Sequence, residues 1–133
     1  MEDVILIVED EVTNQKLFRN VLESRGYTVI VADDGRQAVE IALRQRPSLV
    51  LMDIGLPGMN GLEVTRCLKG NEHTRDIVVL ALTAYATKED QEKALEAGCD
   101  GFLAKPIDIV DFVEEVARHV AKPAVRHHPA QSA

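Results

Sequence analysis

The chain has 133 residues, of which 46% are hydrophobic and 28% are charged, and its 15 basic and 22 acidic residues give a net charge of −7. This length fits one domain, and the hydrophobic content excludes an intrinsically disordered chain. The acidic balance argues against a nucleic-acid-binding protein, and no apolar run approaches the roughly 20 residues that span a bilayer. Two cysteines form neither a disulfide framework nor a zinc site, and the acidic start is unlike a signal peptide. We therefore expect a cytoplasmic protein with no nucleic-acid or membrane partner.

The first strand and the first helix are predicted near the start of the chain. Val4–Val8 is a continuous β-branched run, as in a strand that is buried on both faces. The stretch after it places Leu17, Val21 and Leu22 on one face of a helix. Gly26 suits the left-handed position that commonly ends such a helix.

The next two strand–helix pairs follow the same pattern. A second apolar run, Thr28–Ala32, precedes a helix that begins near Asp34 and stops before Pro47, because proline cannot continue a helix. Leu49–Met52 is the third run. The third helix opens with Asn60–Glu63, whose end residues match a capping box.

The last two strand–helix pairs differ in how strongly their apolar patterns predict a strand and a helix. Val78–Leu82 predicts a fourth strand, and the helix after it runs from the cap Thr87 to Gly98 with few large apolar residues. We expect this helix to be loosely held. Gly101–Ala104 is the fifth and weakest strand, and Asp108 caps the fifth helix. The apolar stripe of the fifth helix consists of Phe112, Val113, Val116 and Val120.

The alternation of strands and helices predicts a parallel sheet with helices on both faces and right-handed crossovers. Five such units fit a flavodoxin-like, doubly wound α/β fold with the strand order 2-1-3-4-5. The domain is predicted to span residues 1–121. Pro123 and the lack of apolar periodicity indicate that residues 122–133 form a flexible tail.

Polar residues stand at the carboxyl ends of four predicted strands. In the order 2-1-3-4-5, strands 1, 3, 4 and 5 are consecutive neighbours, and their tips lie about 5 Å apart from one strand to the next. Ligands of open α/β sheets bind at this edge. We therefore expect one site that contains Glu9, Asp10, Asp53, Thr83 and Lys105.

The residue types of this site point to phosphoryl chemistry. Carboxylates that crowd together repel one another unless a hard cation joins them, and oxygen ligands with room for water suit Mg²⁺. Mg²⁺ in turn neutralises phosphoryl oxygens, and an aspartate can act as a nucleophile that forms an acyl-phosphate. Lys105 supplies a positive charge and Thr83 a hydroxyl donor for the phosphoryl oxygens.

From Val4 to about Ala121 the chain resembles the receiver domains of bacterial response regulators. The resemblance rests on the acidic pair Glu9-Asp10 and on the segment from Leu51 through Asp53 to Gly61. It also rests on the pairs Thr83-Ala84 and Lys105-Pro106, which stand in the order of the family.

The resemblance implies roles for the acidic residues. Asp53 would be phosphorylated by a phosphohistidine of a sensor histidine kinase or of a histidine phosphotransfer protein. Asp10, Asp53 and the backbone carbonyl of Gly55 would bind Mg²⁺ directly, and Glu9 would bind it directly or through water.

The resemblance also implies which residues would bind the phosphoryl group and which side chain would move in response. Thr83 and Lys105 would hold the phosphoryl group, and Phe102 would be a switch aromatic that turns inward when Thr83 moves. The Lys105-Pro106 peptide bond would be cis. The chain would then be a phosphoacceptor signalling domain rather than an enzyme, although it would assist its own phosphorylation and dephosphorylation.

Two positions depart from the frequent pattern of the family. Gly55, two residues after Asp53, has no side chain, and Tyr85, two residues after Thr83, is large enough to shield the site. The family often has polar or charged side chains there, which influence hydrolysis of the acyl-phosphate. We therefore predict slow self-dephosphorylation.

Alternative functions stay open at the level of sequence. A domain of about 121 residues leaves no room here for an output domain, so we expect a single-domain regulator. Such a regulator would signal by protein–protein contact through its fourth helix, fifth strand and fifth helix. Otherwise it would transfer the phosphoryl group to another protein. Alternatively, the chain is the receiver of a hybrid histidine kinase or of a larger regulator. A flavin-binding protein or an aspartate-nucleophile phosphatase shares the fold, but such phosphatases need a second aspartate where Gly55 stands.

The remaining polar residues have simpler interpretations. Asp33 and Asp34 follow the second strand and are interpreted as helix-capping residues. The histidines show no metal-binding spacing and are interpreted as surface residues. They are His73, His119, His127 and His128.

Overall fold

The structure is a computed structural model, and it describes residues 3–55, 60–84 and 87–127. Strands and helices alternate along the described residues. The strands are β1 Val4–Val8, β2 Thr28–Ala32, β3 Leu49–Asp53, β4 Val78–Thr83 and β5 Gly101–Ala104. The helices are α1 Val12–Ser24, α2 Gly35–Gln45, α3 Gly61–Lys69, α4 Lys88–Ala97 and α5 Ile109–His127.

The five strands form one parallel sheet in the order β2-β1-β3-β4-β5, which confirms the predicted doubly wound α/β fold. Val8 of β1 pairs with Met52 of β3, and Asp53 at the end of β3 pairs with Leu82 of β4. This register brings the carboxyl ends of the three central strands to one edge of the sheet.

Hydrophobic cores lie on both faces of the sheet, because every residue of β3 is buried and its side chains alternate between the faces. On one face, α1 and α5 pack through Phe18 and Phe112, whose ring centroids are 5.0 Å apart. On the other face, α2, α3 and α4 cover the sheet through small and medium apolar side chains. Burial of each large apolar side chain contributes about 1.5–3 kcal/mol.

The buried face of α1 differs from the predicted one. Phe18 and Leu22 are buried, and Val21 packs against them, but Leu17 is 43% exposed. The buried positions 18, 21 and 22 have the i, i+3, i+4 spacing of one helix face, and Leu17 lies about 100° around the helix from Phe18. The prediction for Leu17 was therefore wrong, because a leucine at the border of an apolar stripe was taken as part of it.

The predicted helix starts are confirmed by hydrogen bonds from the first turns to the capping side chains. Asn60 and Glu63 form a reciprocal capping box at α3. Asp34 caps α2 and Thr87 caps α4, and Asp108 accepts a hydrogen bond from the backbone N–H of Asp111 in the first turn of α5.

Helix ends follow the predicted left-handed geometry at Gly26 and Gly98, where φ is 93° and 108°. Arg46 also has a positive φ, of 46°, at the end of α2. The residue before a proline is pushed out of the right-handed helical region, so Pro47 explains why α2 stops here without a glycine.

The fifth helix, α5, extends beyond its predicted apolar stripe, because its helical backbone continues to His127. The domain boundary at residue 121 and the flexible tail after it stay predictions. Residues 128–133 lie outside the described part of the chain. His119 is buried at 5% exposure, which corrects its interpretation as a surface residue. None of the helices that the structure describes is long and apolar enough to cross a membrane.

Candidate functional site

The predicted acidic residues meet at the carboxyl end of the sheet. Glu9 and Asp10 directly follow β1, and Asp53 is the last residue of β3. Each of the three offers a carboxylate oxygen, and these oxygens lie within 4.8 Å of one another. Glu9 and Asp53 are buried, whereas Asp10 is exposed, so the cluster is accessible to solvent at Asp10.

Asp53 is the centre of the site. It is 4% exposed, and its Oδ1 accepts a hydrogen bond from the backbone N–H of Gly55 at 3.0 Å. The same Oδ1 lies 3.2 Å from Nζ of Lys105, which follows β5. Lys105 Nζ is also 3.9 Å from Glu9 Oε1, so a single ammonium group faces two buried carboxylates.

Glu9 is held in an unfavourable environment for its charge. Its Oε2 accepts a hydrogen bond from the backbone N–H of Glu11 at 2.9 Å, but its buried Oε1 has no hydrogen-bond donor within the described part of the chain. Burial raises the pKa of Glu9 above its ordinary value of 4.5, and the neighbouring charge of Asp53 raises it further. The hydrogen bond from Glu11 and the charge of Lys105 oppose this rise only in part.

This arrangement fits a divalent cation with oxygen ligands. Three carboxylates against one ammonium group leave an excess of negative charge, and the buried Oε1 of Glu9 is an acceptor that lacks a donor. The exposed side of Asp10 leaves room for water ligands. Mg²⁺ prefers such a site, because it binds one or two carboxylates and retains several waters.

A residue that the sequence reasoning missed, Gln15, supports the site from the first turns of α1. Its Nε2 donates a hydrogen bond to the backbone carbonyl of Glu9 at 2.5 Å and another to Asp33 Oδ1 at 2.8 Å. Asp33 is thus a partner of Gln15 rather than the helix cap that was predicted, and only Asp34 caps α2. No sequence pattern indicated Gln15, because its two partners come from the loops after β1 and β2.

Gly61 fixes the backbone beside Asp53. A Cβ atom at this position would lie 2.9 Å from Cα of Ile54 and would clash with the carbonyl oxygen of Asp53. The N–H of Gly61 donates to the carbonyl of Ile54 at 3.2 Å, and the N–H of Ile54 donates to the carbonyl of Leu82 in β4. The turn after Asp53 is thereby held between α3 and β4.

Thr83 and Lys105 are joined through the backbone, since the N–H of Lys105 donates to the carbonyl of Thr83 at 2.7 Å. The Lys105-Pro106 peptide bond is cis, as predicted. Thr83 also borders a cavity of about 100 Å³ between α4 and the sheet, and Phe102 is half-buried in its wall. The switch roles of Thr83 and Phe102 and the metal-binding role of the Gly55 carbonyl stay predictions, and Tyr85 lies outside the described residues.

The fold and the site together define an α/β protein of the receiver class, with an acid cluster at the carboxyl edge and a lysine after the last strand. The family model "Response regulator receiver domain" matches residues 5–117. The chain belongs to this family of two-component signalling domains.

Relatives and solved structures agree with this assignment. The polar-differentiation response regulator DivK of Brucella anthropi is 42% identical over 120 residues, which cover 90% of this chain and 98% of that protein. The receiver domain of a sensor histidine kinase from Pseudomonas aeruginosa, solved with a magnesium ion in its active site cleft, has a TM-score of 0.84 and 38% identity over 91% of this chain and 99% of its own. The receiver domain of Ssk1 from Saccharomyces cerevisiae, solved with the histidine phosphotransfer protein Ypd1, has a TM-score of 0.85 and 27% identity, over 90% of each chain.

Proposed function

We propose that this receiver accepts a phosphoryl group on Asp53 from a phosphohistidine donor in a Mg²⁺-dependent reaction. The observation that carries the proposal is the buried Asp53 carboxylate, which is oriented by the Gly55 N–H and by Lys105 beside two further carboxylates. Neighbouring carboxylates repel the buried Asp53 carboxylate and so destabilise the fold, which argues against a purely structural role for this cluster.

The chemistry is a transfer between a nitrogen and an oxygen. A carboxylate oxygen of Asp53 forms a bond to phosphorus while the phosphorus–nitrogen bond of the donor breaks, and the leaving imidazole takes up a proton. Lys105 Nζ, 3.2 Å from Oδ1, is placed to pair with an oxygen of the transferred group. The hydroxyl of Thr83 is the second donor that we assign to the phosphoryl oxygens.

We assign Glu9, Asp10, Asp53 and the backbone carbonyl of Gly55 to Mg²⁺. The bound ion would supply neutralisation of the negative charge that gathers on the phosphoryl oxygens. The orphaned Oε1 of Glu9 supports a ligand role for this residue, either direct or through a water. The magnesium ion described for the Pseudomonas aeruginosa receiver domain supports the same assignment.

The donor that we propose is a sensor histidine kinase or a histidine phosphotransfer protein. The complex of the yeast receiver with Ypd1 supports this class of partner. The downstream target would be a protein that contacts the face formed by α4, β5 and α5, and the chain would act as a phosphoacceptor rather than as an enzyme with its own substrate. The similarity to a receiver domain of a sensor kinase favours a second candidate, in which this receiver is part of such a kinase.

The proposal is tested by intact-mass analysis after incubation with acetyl phosphate and Mg²⁺. We expect the wild type to gain one phosphoryl group, and we expect no gain without Mg²⁺ or in the Asp53→Asn variant. Asp76→Asn is the matched control, because Asp76 is an exposed carboxylate outside the acid cluster, and it should gain the group as the wild type does. Phosphorylation of Asp53→Asn to the same extent would show that the acceptor is another residue.

A further inference from the structure

The loop between β2 and α2 is hydrogen-bonded to the loop that carries two acids of the cluster. Glu9 and Asp10 follow β1 outside any helix or strand, so the positions of their side chains depend on the backbone of this loop. The N–H of Glu9 donates to the carbonyl of Ala32, the last residue of β2, at 3.1 Å. The cluster of Glu9, Asp10 and Asp53 contains no residue of β2 or of the loop after it. The contact of that loop with the site is therefore one of support.

Gln15 joins the two loops a second time. Its Nε2 donates both to the carbonyl of Glu9 and to Oδ1 of Asp33, which follows β2. Both partners are acceptors, and the NH₂ end of the glutamine amide is the end that supplies two donors, so the neighbours fix the orientation of this side chain. Asp33 binds one N–H of Gln15 and thereby directs the other toward Glu9.

Asp33 is in turn held by α2. Its backbone N–H donates to Oε1 of Gln37 at 2.9 Å, and the N–H of Gln37 donates to Oδ1 of Asp34, the N-cap of α2. Gln37 lies in the first turn of a helix whose buried alanines pack on the sheet. The hydrogen bonds therefore form a continuous path from α2 through Asp33 and Gln15 to the backbone of Glu9.

The position of the Glu9 carboxylate depends on that backbone. Its Oε2 accepts a hydrogen bond from the N–H of Glu11, two residues further along the same loop. Glu11 is the N-cap of α1, where its Oε1 accepts from the N–H of Asn14 at 2.8 Å. A displacement of the Glu9 carbonyl would therefore strain the bond that orients its carboxylate, because α1 fixes the donor.

We infer that Asp33 and Gln37 are positioning residues of the metal site, an inference that rests on the proposed function. They orient Gln15, which holds the loop of Glu9 and Asp10 in the arrangement that binds Mg²⁺. Removal of a partner that orients a ligand typically lowers metal affinity about tenfold or more. Because Asp33 and Gln37 are exposed and act through further hydrogen bonds, we expect a smaller loss, of about threefold to tenfold.

A charge-matched pair of variants tests the role of Asp33. Asp33→Asn and Asp33→Ala both remove one negative charge, but only asparagine keeps a side-chain oxygen that accepts from Gln15. NMR titration measures the Mg²⁺ dissociation constant of the unphosphorylated protein, and intact mass measures the Mg²⁺ concentration at half-maximal phosphoryl uptake. We expect both values to be at least about threefold higher for Asp33→Ala than for Asp33→Asn. Equal values in the two variants overturn the inference.

Variants of α2 separate positioning from stability. Gln37→Ala removes the acceptor of the Asp33 N–H, whereas Gln45→Ala makes the same change at the exposed last residue of α2. We expect Gln37→Ala to raise the Mg²⁺ dissociation constant about threefold and to keep the wild-type rate of uptake at saturating Mg²⁺, and we expect Gln45→Ala to alter neither. Urea unfolding in the presence of a chelator measures stability. A loss of stability in Gln37→Ala with unchanged Mg²⁺ affinity overturns the inference.

A double-mutant cycle tests whether these residues act along one path. Because Asp33 acts through Gln15, adding Asp33→Ala to Gln15→Ala should raise the Mg²⁺ dissociation constant by less than about twofold further. Losses that multiply in full overturn the inference. Phosphoryl uptake of the wild type is measured beside the variants. Absence of Mg²⁺-dependent uptake in the wild type overturns the proposed function together with this inference, whereas normal uptake with unchanged Mg²⁺ affinity in all variants overturns the inference alone.

Discussion

Glu9 shows how a single buried side chain links the stability of the site to its function. Its carboxylate is 1% exposed, and one of its oxygens lacks a hydrogen-bond donor in the described structure. The raised pKa means that the folded, metal-free protein disfavours the charged form of this residue more than the unfolded chain does. The charged carboxylate of Glu9 therefore destabilises the metal-free folded protein, and a bound cation would offset this effect.

A Glu9→Gln variant tests this view of the metal-free protein. Because the folded pKa lies above the unfolded value of 4.5, the contribution of Glu9 to stability is fully present below pH 4.5 and is lost as pH rises through the folded pKa. The neutral variant should therefore gain stability relative to the wild type as pH rises above about 4.5, because only the wild type must then bury a charge. Urea unfolding in the presence of a chelator measures the difference, and a variant that loses stability as pH rises would contradict the prediction.

The same variant should respond less to magnesium. A ligand that binds the folded state stabilises it more as its dissociation constant falls, and removal of one ligand charge would weaken the proposed binding of Mg²⁺. We expect a smaller increase in melting temperature with Mg²⁺ for Glu9→Gln than for Glu40→Gln, which alters an exposed glutamate of α2 away from the cluster. Equal increases would show that Glu9 does not contribute to the metal site.

Gln15 acts on the site through the backbone of Glu9 rather than through a ligand atom. A Gln15→Ala change removes its hydrogen bonds to the Glu9 carbonyl and to Asp33. Loss of an outer support of this kind typically lowers metal affinity about tenfold or more, and we expect the Mg²⁺ concentration needed for phosphoryl uptake to rise accordingly. Lys16→Ala, at the exposed neighbour on α1, is the control and should behave as the wild type.

At the scale of the elements, the site depends on how α3 approaches the end of β3. Gly61 begins α3, and its lack of a Cβ atom permits contact with the backbone of Asp53 and Ile54. The capping box at Asn60 fixes the direction in which α3 starts. The capping box is a local sequence signal and the Gly61 contact is a tertiary one, and both position the turn that follows Asp53.

Gly61→Ala should damage both stability and phosphoryl uptake. The added methyl group forces the turn after Asp53 to move, with an expected loss of about 2 kcal/mol or more in the free energy of unfolding. Gly26→Ala is the matched control, because Gly26 has a φ of 93° but an open space around its Cα. That variant should lose about 1 kcal/mol through backbone strain and retain uptake. Urea unfolding and intact mass measure both effects, and normal uptake in Gly61→Ala would contradict the role given to this contact.

The element α4 is the least anchored of the helices around the site. Only Ala94 and Ala97 are buried in it, and Leu95 points to solvent, as the shortage of large apolar residues in the sequence predicted. Small buried side chains contribute less free energy than leucine or phenylalanine. A helix held in this way can shift at low free-energy cost, which suits an element that borders the cavity beside Thr83.

At the scale of the whole molecule, the energies suit a two-state switch. A hydrogen bond to a charged group contributes about 1.5–3 kcal/mol, so new contacts of the phosphoryl group with Thr83 and Lys105 would contribute roughly 3–6 kcal/mol. Moving a population from about 1:99 to about 99:1 requires about 5.5 kcal/mol. By this comparison, the proposed phosphorylation of Asp53 would shift much of the population.

The lifetime of the phosphorylated state follows from what surrounds Asp53. Gly55 offers no side chain to orient a water molecule toward the acyl-phosphate, so we expect self-dephosphorylation over minutes to hours. Purified, phosphorylated protein freed of donor and followed by intact mass measures this decay. A lifetime of only seconds would contradict the prediction, and Gly55→Glu, which supplies a carboxylate at that position, is expected to change the rate.

The sequence determined the order and type of the elements, because apolar runs, caps and left-handed glycines are local signals. It also determined the edge of the sheet where Glu9, Asp10, Asp53 and Lys105 meet, since strand order places the strand ends. Tertiary structure alone decided the burial of His119, the exposure of Leu17 and the hydrogen bonds of Gln15. These properties depend on which side chains from distant elements come into contact, and no local pattern in the chain encodes that geometry.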